Sequence, residues 1–160
     1  MDTSCIGSSE RLFYRDLHES DSEFILSLIT SPEWLSGIGP RGNDGKEYIA
    51  QNGAKENRLF AAVEKGTNRL VGLVGLLQRD YLEFRDIGYA LDASFVGRGF
   101  ASESVRWFLA NRLKEDEKKI GATVKPTNKK SRSLLERNGF KHIGECVGGV
   151  ELYVWEKKEV

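Results

Sequence analysis

The sequence predicts an α/β (α+β) fold in which a mixed, mostly antiparallel central sheet of about seven strands has helices on both faces. Its 160 residues fit a single domain. The first half carries short apolar runs joined by a hairpin-type connection, which is typical of antiparallel strands. The second half places a long amphipathic helix between two apolar strands, and such a crossover joins parallel strands. The predicted element order is β-α-α-β-β-β-α-β-α-β-β.

The N-terminal half is predicted to hold one strand, two helices and a three-stranded meander. Residues 1–10 are expected to be disordered, as chain ends commonly are. Asp21 can cap the first helix, in which Ile25 and Leu28 stand at helical spacing. Glycines and prolines make residues 31–45 loop-like. The predicted strands cover residues 11–17, 58–64, 69–78 and 84–91, and the second helix covers 46–52.

A helix of about four turns is predicted after the meander. Ala101, Val105, Phe108, Leu109 and Leu113 recur at the spacing of one helical face. The C-terminal half then alternates between short strands and one further helix. Its predicted elements are a strand at 120–124, a helix that Asn128 caps and Asn138-Gly139 ends, and strands at 140–147 and 151–156.

The composition excludes several functional classes. Basic and acidic residues both number 24, so no basic excess indicates a nucleic-acid partner. The two cysteines, Cys5 and Cys146, lie in no metal-binding pattern and are expected to be free thiols. No signal peptide or membrane span is predicted. We therefore expect a cytoplasmic protein without a metal, a nucleic-acid partner or a membrane partner.

The stretch FVGRGFASES, residues 95–104, places a glycine-rich turn between a strand and a helix. The first N–H groups of a helix lack intrahelical partners and lie at the positive end of its dipole, so such a turn suits an anion. A P-loop would end in Gly-Lys-Ser/Thr, which Gly99-Phe100-Ala101 does not supply. A Rossmann turn needs a third glycine, where Ser102 stands. Taken alone, the turn is equally compatible with a purely structural role.

A second motif, VKPTNKKSRSLLERNGF at residues 124–140, lies further along the chain. This motif and DIGYAL followed by FVGRGFASES together resemble the GCN5-related N-acetyltransferase (GNAT) superfamily. The resemblance is strongest to its ribosomal-protein alanine acetyltransferase-like subgroup and covers nearly the whole chain. Asn128, Ser131, Gly139 and Phe140 match the second motif of that subgroup.

The glycine turn matches the acetyl-CoA loop of the same superfamily, written Q/R-x-x-G-x-G/A. Gly99 and Ala101 occupy its last two defined positions, whereas Val96 stands where the family has glutamine or arginine. The resemblance implies that acetyl-CoA is the co-substrate, with its pyrophosphate on main-chain amides of this turn and its pantetheine arm between the two parallel strands. A main-chain N–H near Leu91 is expected to hold the thioester carbonyl. The expected coenzyme-binding residues are Tyr89, Leu91, Val96, Gly97, Arg98, Gly99, Phe100, Ala101, Asn128 and Ser131.

The resemblance also implies the reaction, in which an amine attacks the thioester directly in a ternary complex. A lysine-like amine must lose a proton first, which at pH 7 costs about 4.6 kcal/mol, so the site needs a base more than an acid. Asp86 is the first candidate base and Glu83 the second, although both also suit a solvated strand end. Ser131 matches a position proposed to protonate the thiolate in relatives, or it is an ordinary first-turn helix residue.

The acceptor is expected to be a primary amine on a small molecule or a peptide. The loop at residues 34–42 suits either a substrate lid or a hydrophobic plug over the sheet. Lys129, Lys130 and Arg132 form a basic run that is either a solvated face or a contact for the coenzyme 3′-phosphate. The alternative function is an inactive acetyl-CoA-binding or regulatory module of the same fold. Both monomer and homodimer remain open.

Overall fold

The computed structural model of the protein describes residues 5–53 and 58–158. Within these residues the strands are β1 (Cys5–Ser8), β2 (Leu12–Asp16), β3 (Leu59–Glu64), β4 (Leu70–Leu77), β5 (Asp86–Leu91), β6 (Lys119–Val124), β7 (Lys141–Glu145) and β8 (Glu151–Glu156). The α-helices are α1 (Ser22–Ile29), α2 (Pro32–Gly37), α3 (Gly45–Asn52), α4 (Phe100–Asn111) and α5 (Lys129–Arg137). No helix of this part of the chain is long and apolar enough to cross a membrane.

The strands form one sheet in the order β1-β2-β3-β4-β5-β6-β8-β7. The pair β5–β6 is parallel and every other neighbouring pair is antiparallel. The mixed, mostly antiparallel sheet that the sequence predicts is therefore confirmed, with eight strands instead of about seven. Most predicted strand boundaries differ from the observed ones by one or two residues.

The additional strand is β1, which lies in the segment expected to be disordered. Residues 1–4 are outside the described residues, but Cys5–Ser8 pair with β2 in antiparallel orientation. Ile6 packs against the core. Gly7 lies against the indole of Trp107, so close that a Cβ atom would come within 2.4 Å of it. Residues far along the chain hold this strand, which is why the local sequence does not reveal it.

The segment predicted to be a loop at residues 31–45 contains the short helix α2. The Ser31 hydroxyl caps this helix by accepting a hydrogen bond from the Trp34 N–H at 3.2 Å. Pro32 occupies the first turn, where the missing N–H costs nothing. A serine followed by proline is thus a helix-start signal, which the glycine content of the segment obscures.

Helices cover both faces of the sheet, as predicted. Along each strand, alternate side chains enter two separate apolar clusters. One cluster packs beneath α4 and α5 and includes Phe60, Val105 and Leu135. The other packs beneath α1, α2 and α3 and includes Ile25 and Trp34. We refer to these sides as the α4–α5 face and the α1–α3 face.

The parallel strands β5 and β6 diverge almost as soon as they meet. Their only registered pair is Asp86 with Gly121, where the Gly121 N–H donates to the Arg85 carbonyl at 2.8 Å. Beyond this point β5 remains paired with β4 as far as Leu91, and β6 remains paired with β8. The sheet therefore opens between β5 and β6, toward the end at which β5 leads into the glycine turn.

Candidate active site

A cavity of about 1080 Å³ occupies this opening and extends through the sheet to both faces. On the α4–α5 face it is bordered by the glycine turn and the start of α5. On the α1–α3 face it reaches side chains of α2, α3 and the end of β4. The predicted coenzyme-binding residues that line it are Tyr89, Leu91, Val96, Gly97, Gly99, Phe100, Ala101, Asn128 and Ser131. The two motifs recognised in the sequence thus meet around one cavity.

The strand β5 presents unpaired backbone groups to this opening. The Arg85 carbonyl faces β6, because it accepts the Gly121 N–H. Backbone polar groups of successive strand residues point to opposite edges, so those of Tyr89 and Leu91, which lie beyond the registered pair with β6, face the opening while the intervening residues bond to β4. A row of N–H and C=O groups is consequently available to an extended ligand, and Leu91 contributes the last N–H of the row.

The glycine turn begins α4 through two residues in left-handed backbone conformations. Gly97 has φ of 81° and Gly99 has φ of 83°, values that a residue with a Cβ atom rarely adopts. A Cβ atom on Gly97 would meet no atom within 4 Å, so the space in front of it is open. The first amides of α4 point out of such a turn without intrahelical partners, which is the geometry that binds a phosphate.

The turn is held by Arg11 and Glu103, which the sequence motifs do not indicate. Arg11 donates to the Arg98 carbonyl at 2.8 Å and to the Glu103 carboxylate at 2.7 Å. Glu103 also accepts hydrogen bonds from the Arg11 backbone N–H at 2.8 Å and from the Ser9 hydroxyl at 2.6 Å. These contacts join residues more than 85 positions apart, so no local pattern could identify them.

The same contacts set the ionisation of Glu103. Burial alone would raise the pKa of this carboxyl, but the hydrogen bonds from Ser9 and Arg11 and the charge of Arg11 outweigh it and lower the pKa below 4.5. Glu103 is therefore ionised at neutral pH, where its carboxylate holds the turn. Arg11 in turn covers the Phe100 ring, 4.2 Å from its centroid, and so links the first turn of α4 to the start of β2.

Replacement of Glu103 with glutamine should reduce the free energy of unfolding by about 2 kcal/mol at neutral pH, because charged hydrogen bonds are lost. Since folding lowers the pKa of Glu103, its contribution is present above the ordinary value of 4.5 and is lost as the pH falls through the lowered value. Urea unfolding at several pH values should show the variant and the wild type converging in acid. The exposed Glu10→Gln variant is the control, and an equal loss in both variants would contradict the assignment.

Arg98 is directed away from the cavity by other contacts. Its guanidinium lies 3.3 Å from the Glu64 carboxylate and over the rings of Phe95 and Phe100. Only its main chain belongs to the turn. Any role of Arg98 toward a phosphate therefore rests on its backbone N–H and on the distant charge of its side chain.

Tyr89 and Ser131 form a hydrogen-bonded pair on the α4–α5 side of the opening. Their hydroxyl oxygens are 2.5 Å apart. Asn128 caps α5 by accepting the Ser131 N–H at 3.3 Å, which fixes the serine at the start of the helix. Burial raises the pKa of Tyr89 to about 12, against the smaller opposing effects of Ser131 and Arg137. Tyr89 therefore keeps its proton at neutral pH, as a proton donor must.

Asp86 lies at the closed end of the opening, where β5 and β6 meet. Its side chain is 2% exposed and pairs with Arg79, whose Nε lies 3.2 Å from Oδ1. Burial raises the pKa of this carboxyl, and the charge and hydrogen bond of Arg79 only partly oppose the effect. Asp86 lines the cavity, whereas Glu83 is exposed and is not among the lining residues. The two candidate bases are thus in very different surroundings.

Trp34, in the segment 34–42 that was expected to be a lid or a hydrophobic plug, is buried against the sheet. This side chain is 6% exposed, packs edge-on against Tyr48 at 5.9 Å and donates its indole N–H to the Gly39 carbonyl at 2.9 Å. Arg41 follows and borders the cavity on the α1–α3 face. The described residues place no carboxylate within ion-pair distance of Arg41.

The basic run at the start of α5 divides into two roles. Arg132 donates to the Tyr153 hydroxyl at 3.1 Å and to the Pro126 carbonyl at 3.0 Å, so its guanidinium joins α5 to β8 and to the preceding loop. Lys129 and Lys130 are exposed and border the cavity. Within the described part of the chain, no cluster of histidine, cysteine, aspartate and glutamate side chains suits a metal ion.

Known proteins are similar to this chain in sequence and in fold. The acetyltransferase (GNAT) domain family matches residues 11–141. The chain is 33% identical over 138 residues to the probable N-acetyltransferase YjcK of Bacillus subtilis, covering 84% of this chain and 76% of YjcK. A GNAT-family acetyltransferase of Bacillus anthracis superimposes with a TM-score of 0.78 at 23% identity, over 92% of this chain and 94% of that one. RimL, a ribosomal L7/L12 α-N-protein acetyltransferase solved with coenzyme A, has a TM-score of 0.78 at 19% identity, over 96% and 98% of the two chains.

The fold is shared with a solved acetyltransferase of the GNAT family. The chain belongs to the GNAT acetyltransferase family. It is an acetyl-CoA-dependent N-acetyltransferase, so the family, the fold and the class of reaction predicted from the two motifs are confirmed.

Proposed function

We propose that this enzyme binds acetyl-CoA along the α4–α5 face and transfers the acetyl group to a primary amine that enters from the α1–α3 face. The observation that carries the proposal is the single cavity that runs through the opening between β5 and β6. It gives the two substrates separate entrances and one meeting point. Direct attack in a ternary complex needs this arrangement, because both reactants must be held together.

The coenzyme is held mainly by backbone groups. The amides of residues 96–101 bind the pyrophosphate, where Gly97 and Gly99 leave the backbone accessible. The valine at position 96 costs little affinity, because main-chain groups supply the contacts. The pantetheine arm lies in the opening and bonds to the unpaired backbone groups of β5. Lys129 and Lys130, on the border of the cavity, supply positive charge for the 3′-phosphate.

The reaction uses three groups around the thioester. The Leu91 N–H donates to the thioester carbonyl and stabilises the oxyanion that forms on attack. Asp86, whose pKa is raised by burial, takes the proton of the amine directly or through a water molecule. Tyr89, held by Ser131, donates its proton to the departing thiolate. The base and the acid lie on opposite sides of the sheet opening, as attack and departure require.

The coenzyme site is tested by adding a methyl group to the turn. Gly97→Ala should weaken acetyl-CoA binding about tenfold or more in isothermal titration, because the new Cβ stands where the phosphate approaches. Gly66→Ala is a matched control, since Gly66 also has a positive φ, of 87°, and open space around it but lies in the β3–β4 hairpin. Both changes should reduce stability similarly, by about 1 kcal/mol. Equal affinities in the two variants would reject the site.

Turnover is tested by thiol release from acetyl-CoA with a panel of amines. Binding of acetyl-CoA without thiol release on any amine would indicate the alternative, a coenzyme-binding module without catalysis. The charges that line the α1–α3 side of the cavity are balanced, with Arg41 and Arg79 against Glu33 and Asp86. Because this side has no acidic excess, it favours an acceptor with one amine over a polyamine. Peptide or amino-acid α-amines should therefore react faster than spermidine, and the reverse order would contradict this acceptor class.

The two free cysteines bear on the cellular compartment of the enzyme. Cys5 and Cys146 are both free, which suits the reducing cytoplasm. We place the enzyme there, acting as a single domain that is a monomer or a homodimer.

A further inference from the structure

A second cavity, of about 250 Å³, lies on the α4–α5 face at the far end of β5 from the glycine turn. Three arginines and three apolar side chains line it: Arg58, Arg85, Arg112, Phe60, Leu76 and Phe108. None of them lines the cavity of the active site. We call this space the arginine cavity.

The arginines come together because three elements begin or end here. Arg58 immediately precedes β3, Arg85 immediately precedes β5, and Arg112 follows the last residue of α4. The guanidinium carbons of Arg58 and Arg112 lie 4.9 Å and 5.4 Å from the centroid of the Phe60 ring. Each of these cation–π contacts is attractive, and together they bring two like charges to one aromatic ring, where an anion between them would reduce their mutual repulsion.

Carboxylates neutralise this cluster only in part. The Arg85 guanidinium is paired with the Glu117 carboxylate, to which its Nε and one terminal nitrogen donate at 2.8 and 2.5 Å. Asp16 lies 3.2 Å from Arg58, but without the geometry of a hydrogen bond, and the buried Arg58 Nε has no partner among the described residues. No carboxylate of the described chain pairs with the Arg112 guanidinium. Three positive charges thus face two negative ones, and the described residues provide no hydrogen-bond partner for the buried Arg58 Nε and no carboxylate for the exposed Arg112.

We propose that the arginine cavity binds a small oxyanion of the phosphate class, separate from the coenzyme. Guanidinium groups match the planar edges of phosphate and carboxylate with paired hydrogen bonds. The volume suits one compact anion and is too small for a nucleotide. An anion between Arg58 and Arg112 would satisfy the buried Arg58 Nε and remove the repulsion of the two charges.

The position of the cavity connects the anion to the active site. Arg85 is adjacent to Asp86, and its carbonyl accepts a backbone hydrogen bond from Gly121, at the position where β5 and β6 pair. An anion that fixes the arginines would therefore stiffen the closed end of the sheet opening. The bound state should resist unfolding more than the free state, because a ligand that binds only the folded protein stabilises it.

The test is a phosphate titration of protein saturated with coenzyme A, so that the glycine turn is already occupied. Inorganic phosphate should bind and raise the melting temperature relative to chloride at equal ionic strength. Arg112→Gln and Arg58→Gln should each weaken binding about tenfold, because a charged donor pair is lost. Arg106→Gln, an exposed position on α4 that contacts Ser102, makes the same charge change and should leave phosphate affinity unchanged.

Further arms keep the result interpretable. Arg112→Lys keeps the charge and fold but lacks the planar fork, so it should bind phosphate several-fold more weakly than the wild type. Displacement of bound inorganic phosphate by a phosphomonoester such as phosphoserine would identify a phosphorylated metabolite as the source. Displacement by sulfate but not by phosphoserine would identify a free anion. Absence of binding by wild-type protein, or equal affinity in the Arg112→Gln and Arg106→Gln variants, would overturn the proposal. The coenzyme affinity of the variants should not change in either case.

Discussion

Replacement of Asp86 with asparagine is expected to lower kcat about a hundredfold or more, with little change in the KM for acetyl-CoA. The reason is that the variant loses the proposed base, and a positioned base contributes about a hundredfold to ten-thousandfold in rate. Asparagine keeps the shape of the side chain at a position that is 2% exposed, so the fold should persist. Initial rates of thiol release, measured with a saturating amine, check this expectation.

The pH profile separates a base from a merely structural carboxylate. Burial raises the pKa of Asp86, so the wild-type kcat/KM should fall as the pH drops through a value above the ordinary 3.8. Asp86→Asn should lack this acidic limb at its low residual rate. Glu83→Gln is the control, because Glu83 is exposed outside the cavity. Wild-type activity in Asp86→Asn, or a large loss in Glu83→Gln, would transfer the role of base to another group.

Replacement of Tyr89 with phenylalanine is expected to lower kcat by a similar factor, about a hundredfold, because the departing thiolate loses its proposed proton donor. Ser131→Ala should have a smaller effect in the same direction, since the tyrosine remains but loses the partner that holds it 2.5 Å away. Single-turnover rates measured against acetyl-CoA concentration distinguish this loss from weaker binding. Ser133→Ala, in the same helix and also on the cavity border, is the matched control.

The high pKa of Tyr89 adds a second criterion. Because the value is about 12, the tyrosine keeps its proton throughout the neutral and mildly alkaline range. Any loss of wild-type activity below about pH 10 must then come from another group. If Tyr89→Phe retained the full rate while Ser131→Ala lost it, the serine itself would be the donor.

Most helices and strands could be predicted from the sequence because each is defined by a local pattern of apolar residues. Continuous apolar runs define β3 and β4 on their own, and the helical spacing from Ala101 to Leu109 defines α4. The strand β1 was missed because four residues, CIGS, carry little signal without Trp107 and β2. A local sequence pattern predicts a helix or strand well when residues close in the sequence stabilise it.

The sequence predicted the backbone features of the candidate site, but only some of its side-chain contacts. Glycine and helix-start signals are local, so the turn and Asn128 could be identified from two motifs. The Arg11–Glu103 contact joins residues 92 positions apart, and no spacing rule could bring them together. Burial likewise cannot be read from one sequence, and it is burial that distinguishes Asp86 from Glu83.

The single registered pair between β5 and β6 has a consequence for how the enzyme responds to its co-substrate. Without a ligand, the five strands β1–β5 and the three strands β6–β8 are two separately hydrogen-bonded units that share one registered position. Side chains of both units share one apolar cluster, but few backbone hydrogen bonds join the units. We therefore expect the smaller unit to open locally at a lower free energy than that of global unfolding. In the proposed complex, the pantetheine arm of acetyl-CoA would act as a ninth strand that bonds to one unit and packs against the other. Amide hydrogen exchange in β6 and β8 should slow markedly when the coenzyme binds, so that ligand binding and cooperative folding become one process.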